Sequence, residues 1–159
     1  MKTISKAELI SMKACKSGLE RFIKQTNNTD DEVLVSDLFD GENTESDLIW
    51  LGGRICNADK LRKFARDIAM VNIELIKPYC SDTDYESIIH FLKSGENDTR
   101  AARAVDAAAD AAYAADAAYA AFAAAAAVDA VDAAADAAVE YAMKTCEFDV
   151  KPFLQELFS

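Results

Sequence analysis

Asp129, Asp132, Asp136 and Glu140 recur at spacings of three, four and four, which on a helix sets carboxylates about 6 Å apart along one side. Asp106 and Asp110 make a second pair, on a face turned by about 100° from the first on a 3.6-residue period. Like charges at i and i+4 cost a few tenths of a kcal/mol per pair, and Asp136 and Glu140 also oppose the C-terminal end of the helix dipole. Such a row can grip a cationic surface, or it can simply keep an apolar helix in water. A phosphate strand advances about 3.4 Å per charge, so the row alone is sparser than DNA. Partial nucleic-acid mimicry would need the loop acids Asp30, Asp31 and Glu32, and those between Asp40 and Asp47, to supply the remainder.

The other reactive side chains point to no catalysis. His90 is the sole histidine; it follows Glu86 by four on the side opposite Ile88, Ile89 and Leu92, which reads as a surface pair and not as a general base. Cys15 stands just before a helix start, where a thiol can acidify, yet reads as a packed thiol. With Cys56, Cys80 and Cys146 it forms no Cys-x-x-Cys, and the four read as reduced, mostly buried thiols. The Asp40 to Asp47 loop has oxygen ligands without EF-hand spacing. No catalytic residue, cofactor or metal is therefore expected, and the chain reads as a non-enzyme. Lys60, Arg62, Lys63 and Arg66 make a basic island whose expected use is to pair with the acidic helix.

Residues 101–143 hold 26 alanines, and neither glycine nor proline occurs between Gly95 and Pro152. Alanine loses no side-chain entropy on becoming helical, so this segment should be helix. A helix of about 44 residues is on the order of 65 Å long, against a gyration radius of about 15 Å for a compact chain of this size. It must overhang, bend or fold back; a single long helix, continuous or kinked, is the favoured form.

Shorter helices should precede it. Ser5 and Glu8 fit a capping box for a helix over about 5–14, and Ser17 can cap a second carrying Leu19, Phe22 and Ile23. Val33 to Val35 is an extended edge or the lead into a turn. Ser46 should cap a brief helix to Leu51 that Gly52 and Gly53 end, with Trp50 in the core. From Ala58 to Ile76 the stripe Leu61, Phe64, Ala65, Ile68, Val71, Leu75 predicts one helix stopped by Pro78. Ser81 to Lys93 repeats the pattern with Tyr85, Ile88, Ile89 and Leu92, closed by Gly95. Asn97 or Thr99 should start the alanine helix, and Pro152 to Phe158 forms a last short one. The expected fold is all-α: short N-terminal helices (1–97) packed on the alanine-rich acidic helix (98–146), with a C-terminal tail (147–159), one domain overall.

The net charge is −11, and positions 104–143 contain seven acids and no base, which excludes direct nucleic-acid binding. The longest uncharged run, Ala117 to Val128, is too short for a bilayer, and the start lacks an apolar signal core. A cytoplasmic protein with no membrane partner is expected.

Around Ala14, Cys15, Gly18, Leu19 and Phe22 (A-C-x-x-G-L-x-x-F), then Asp47 to Leu51 and Leu61 to Ala65, the chain resembles a loose group of uncharacterised bacteriophage and prophage proteins that also end in alanine-rich tracts. The resemblance spans roughly residues 7 to 140; here the tract is nearly all aspartate where theirs mix in arginine and glutamate. It implies a phage accessory protein acting in the host cytoplasm. With the acidic faces, the leading expectation is an inhibitor of the anti-CRISPR or anti-restriction type. Asp106, Asp110, Asp129, Asp132, Asp136 and Glu140 would contact a host protein with a basic surface. The alternative is a structural or scaffolding oligomer, such as a homodimer, packed through alanine faces.

Overall fold

A computed structural model describes residues 2–71, 73–96, 99–112 and 149–159. The chain divides into two compact units, Met1–Cys56 with Lys151–Ser159, and Asn57–Val150. The division falls inside the region that composition groups as 1–97. The fold class is all-α; among the described residues the one exception to helix is a pair of two-residue strands.

In the first unit, β1 (Thr3–Ile4) pairs antiparallel with β2 (Val33–Leu34), Thr3 opposite Leu34 and Ile4 opposite Val33. The extended-edge reading of Val33 is thus the observed one, and a 3₁₀ turn over Val35–Leu38 follows. Helix α1 (Lys6–Ser11) starts with the expected capping box: the Glu8 amide donates to Ser5 Oγ, and the Ser5 amide to the Glu8 carboxylate. Helix α2 (Lys16–Gln25) is capped by Cys15, not Ser17; the Gly18 amide donates to Sγ at 3.3 Å. Helix α3 (Glu45–Ile55) begins at Thr44, not Ser46, because Thr44 and Asp47 form a reciprocal box.

That helix also runs through Gly52 and Gly53 instead of ending there. The reason lies about a hundred residues away: a Cβ on Gly52 would come within 2.7 Å of Leu157 Cδ2. Leu157 belongs to α7 (Lys151–Phe158), whose Leu154, Leu157 and Phe158 are buried. Phe158 meets Phe39 edge-on at 5.9 Å, and Lys151 pairs with Asp40. The missing side chain at Gly52 serves close helix packing, which outweighs its low helix propensity of about 1 kcal/mol. Trp50 is only half-buried, with the Arg54 guanidinium 5.5 Å over its ring, so the core here is Ile4, Phe22, Val35, Leu38, Leu48, Ile49 and Leu51.

In the second unit, α4 (Ala58–Met70) is capped by Asn57 and buries Leu61, Phe64, Ala65, Ile68 and Ala69. It stops at Met70, short of the expected Ile76. A 3₁₀ helix over Ile73–Tyr79 takes over, burying Ile73 and Ile76 and leaving Leu75 outside. Helix α5 (Asp82–Ser94) is capped by Ser81 and ended by Gly95 at φ +70°. It buries Phe91 beside Tyr85, Ile88 and Leu92, while Ile89 is half-buried. Helix α6 (Thr99–Ala112) opens the alanine segment and packs on α5 and the 3₁₀ helix. Its inner face is Ala101, Ala104, Val105 and Ala108, small enough for close helix approach. The course of the alanine segment after Ala112, kinked or straight, lies outside the described residues. Among the described residues no helix is long and apolar enough to cross a membrane.

Candidate functional site

Of the six acids expected to bind a partner, Asp106 and Asp110 belong to α6, with side chains outside the description. Asp129, Asp132, Asp136 and Glu140 lie outside the described residues altogether. The acids expected to extend the row are in view, and most have work inside the first unit. Asp30 pairs with Lys6 at 2.9 Å, Glu42 with Lys24 at 2.7 Å, and Asp40 with Lys151. Glu32 accepts from the Thr3 hydroxyl, and Asp31 from Thr29. Asp47 receives two 2.7 Å bonds from Arg21. These loop carboxylates brace the unit's own loops, though Asp30 and Asp40 remain largely exposed.

Gln25 completes that bracing. Its Nε2 donates to the Asp37 carbonyl, and its Oε1 accepts from the Glu42 and Asn43 amides and from Asn43 Nδ2. Gly41 lies against this amide, where a Cβ would sit 2.3 Å from the Gln25 carboxamide carbon. The acidic loop is therefore held in one conformation by a neutral side chain that no charge pattern singles out.

The group with most chemical potential in the first unit is the Cys15 thiol, which is exposed and not packed. Cys15 is exposed, and Cys56 and Cys80 are half-exposed; Cys146 lies outside the described residues. The expectation of mostly buried thiols fails for the three in view. The Ser17 hydroxyl at 3.4 Å and the Gly18 amide hold the Cys15 thiol below its usual pKa. Burial, with Asp84 and Asp82 nearby, pushes Cys80 up. Asp47 stands beside the same helix start, its Oδ1 2.9 Å from where a Gly18 Cβ would be. Burial tends to raise the Asp47 pKa, but its bonds from Arg21 and Thr44 outweigh that and hold it low. Sequence reasoning missed Cys15 as a cap because thiols are not among the usual cap residues; the amide it accepts from belongs to Gly18, three positions on.

In the second unit His90 is exposed and faces Glu96 at 3.4 Å, not Glu86. Within the basic island, Arg62 pairs with Asp59 and Lys63 with Asp67, both on α4 itself. Arg66 lies over the backbone of Gly95. Arg100, at the start of α6, pairs with Asp84 at 2.9 Å; the Ser81 hydroxyl, and after it Arg100, hold that carboxyl low. Among the described residues no group of three or more histidine, cysteine or acidic side chains could hold a metal ion. An open cleft of about 490 Å³ in the first unit, lined by Lys2, Thr3, Ile4, Glu8, Ser11, Met12 and Ile55, gathers no reactive pair; its lysine is spent on the Ile55 carbonyl.

No protein-family model, curated protein or solved structure matches the chain.

Proposed function

We propose that this is a non-enzymatic, phage-encoded acidic binding protein that occupies the basic surface of a host defence or nucleic-acid-binding protein and blocks it, as anti-CRISPR and anti-restriction inhibitors do. The observation that carries the reading is a charge imbalance the fold does not remove. The chain has 17 lysines and arginines against 28 acids. Eight of those bases, Lys6, Lys16, Arg21, Lys24, Arg62, Lys63, Arg100 and Lys151, pair with eight acids among the described residues. One-to-one pairing cannot cancel a net charge of −11, and seven of the acids lie in the base-free stretch 104–143. A surface of this sign repels nucleic acid and attracts a cationic protein face at a salt-dependent rate. Asp106, Asp110, Asp129, Asp132, Asp136 and Glu140 are the contact residues of this reading, and the host cytoplasm is its setting.

The test is capture from host lysate at low and high salt by the chain and by a variant with Asp129→Asn, Asp132→Asn, Asp136→Asn and Glu140→Gln. The proposal requires a specific partner that binds nucleic acid, lost with the variant and weakened by salt. Equal capture by both proteins across salt ends it. A second reading, a scaffolding oligomer, rests on the alanine-rich composition of residues 101–143; the face formed by Ala101, Ala104 and Ala108 is already buried inside the second unit and is not available to it. Concentration-dependent assembly in sedimentation favours it; a monomer at high concentration removes it.

A further inference from the structure

The segment after α4 carries two helical patterns that cannot be satisfied together. Leu61, Ile68 and Leu75 are spaced by seven, so an α4 continued at 3.6 residues per turn would bring Leu75 under the face that buries Leu61 and Ile68. The observed 3₁₀ helix instead seats Ile73 and Ile76, three apart as its three-residue turn demands, and leaves Leu75 40% exposed. Only Ile10 is a more exposed large apolar side chain among the described residues. A 3₁₀ stretch of seven residues is also longer than the usual three or four. Finally, the Tyr85 hydroxyl is buried beside the Glu74 carboxylate of the same 3₁₀ helix.

We propose that α4 has a second register, in which it extends to Ile76, Leu75 enters the core where Ile73 now sits, and the 3₁₀ turn survives only around Pro78. Proline sets the limit, since its ring would collide with the Glu74 carbonyl in a continuous helix and disfavours helical Lys77. Each residue that changes register shortens the axis by about 0.5 Å, so the exchange shifts the start of α5 along α4 while carrying one leucine between water and core. A partner that covers Leu75 holds the 3₁₀ form, because that side chain is available only there.

The experiment is relaxation-dispersion NMR on the isotope-labelled full chain, read at the Leu75 methyls and at the Ile73 to Ile76 amides. The expected result is exchange with a minor state of about one to a few per cent, whose carbon shifts at Glu74 and Leu75 are α-helical. Leu75→Asp should abolish it, since a carboxylate cannot take a core position; the major fold should persist, the residue being exposed there. Flat profiles in the unaltered chain, or dispersion that survives Leu75→Asp, overturn the proposal.

Discussion

Arg21 on α2 grips Asp47 on α3 through two hydrogen bonds of 2.7 Å, Nε to one carboxylate oxygen and Nη2 to the other. The same carboxylate accepts the Thr44 amide and closes the α3 capping box. One side chain thus starts a helix and ties it to its neighbour, at a place where Gly18 leaves room for the approach.

Removing it should be costly for both reasons. Asp47→Ala loses a cap and leaves a partly buried guanidinium unpartnered, an expected destabilisation of about 2–3 kcal/mol by denaturant titration. The pH dependence follows from the direction of the shift. Because the folded carboxyl titrates below its unfolded value of about 4, its stabilisation is complete above that pH and drains away as pH falls through the lower folded value. Asp47→Asn should flatten the acid limb of the stability curve and leave the curve above pH 5 with a constant offset, about 5 marking where the unfolded carboxyl is fully ionised.

Cys15 should be the fastest thiol in the chain's described part. Ser17 and the Gly18 amide favour its thiolate, while burial and two aspartates disfavour that of Cys80. Alkylation followed by peptide mapping should label Cys15 first at neutral pH. Ser17→Ala should slow that labelling by about two- to five-fold while leaving Cys80 unchanged. Equal rates at both cysteines would remove the assignment.

Gly52 is a packing residue, and its replacement should show coupling to Leu157. Gly52→Ala gains helix propensity of about 1 kcal/mol but drives a methyl to 2.7 Å from Leu157 Cδ2, so a net loss of about 1–2 kcal/mol is expected. Leu157→Ala alone should cost about 2–4 kcal/mol as a buried truncation. The double variant should be less destabilised than the sum, because the new methyl then meets a void; additivity within about 0.5 kcal/mol contradicts the contact.

What the sequence made legible was local. Ser5 with Glu8 and Ser81 with Gly95 bracket their helices because cap and stop lie within one or a few turns of the residues they serve. The readings that failed depend on distant partners. Gly52 looks like a stop until Leu157 is placed against it, and Val33 to Val35 stays open between an edge and a turn until Thr3 and Ile4 lie beside it. Ser46 was the nearer hydroxyl to the apolar run, but the Thr44 and Asp47 box satisfies two backbone donors where Ser46 could satisfy one. The stripe that carries α4 past Met70 is real in the sequence, yet it competes with Ile73 and Ile76 for the same core. Of the candidate site, the charge was legible, because net charge is a property of the chain itself. The internal use of Asp30, Asp40, Glu42 and Asp47 was not, because it depends on which lysine or arginine the fold brings near.

Gly95 ends α5 at φ +70°, a conformation that costs a side-chain-bearing residue about 1 kcal/mol or more. It also lies under Arg66, whose Cζ would sit 2.7 Å from an added Cβ. Gly95→Ala should therefore destabilise by about 1–3 kcal/mol, the strain adding to the displacement of the guanidinium. Pairing it with Arg66→Ala separates the two contributions. The steric part should vanish and the backbone part remain, so the alanine at 95 should then cost only about 1 kcal/mol relative to Arg66→Ala alone. If the penalty is the same in both backgrounds, the left-handed turn accounts for all of it, and Arg66 lies over Gly95 without constraining it.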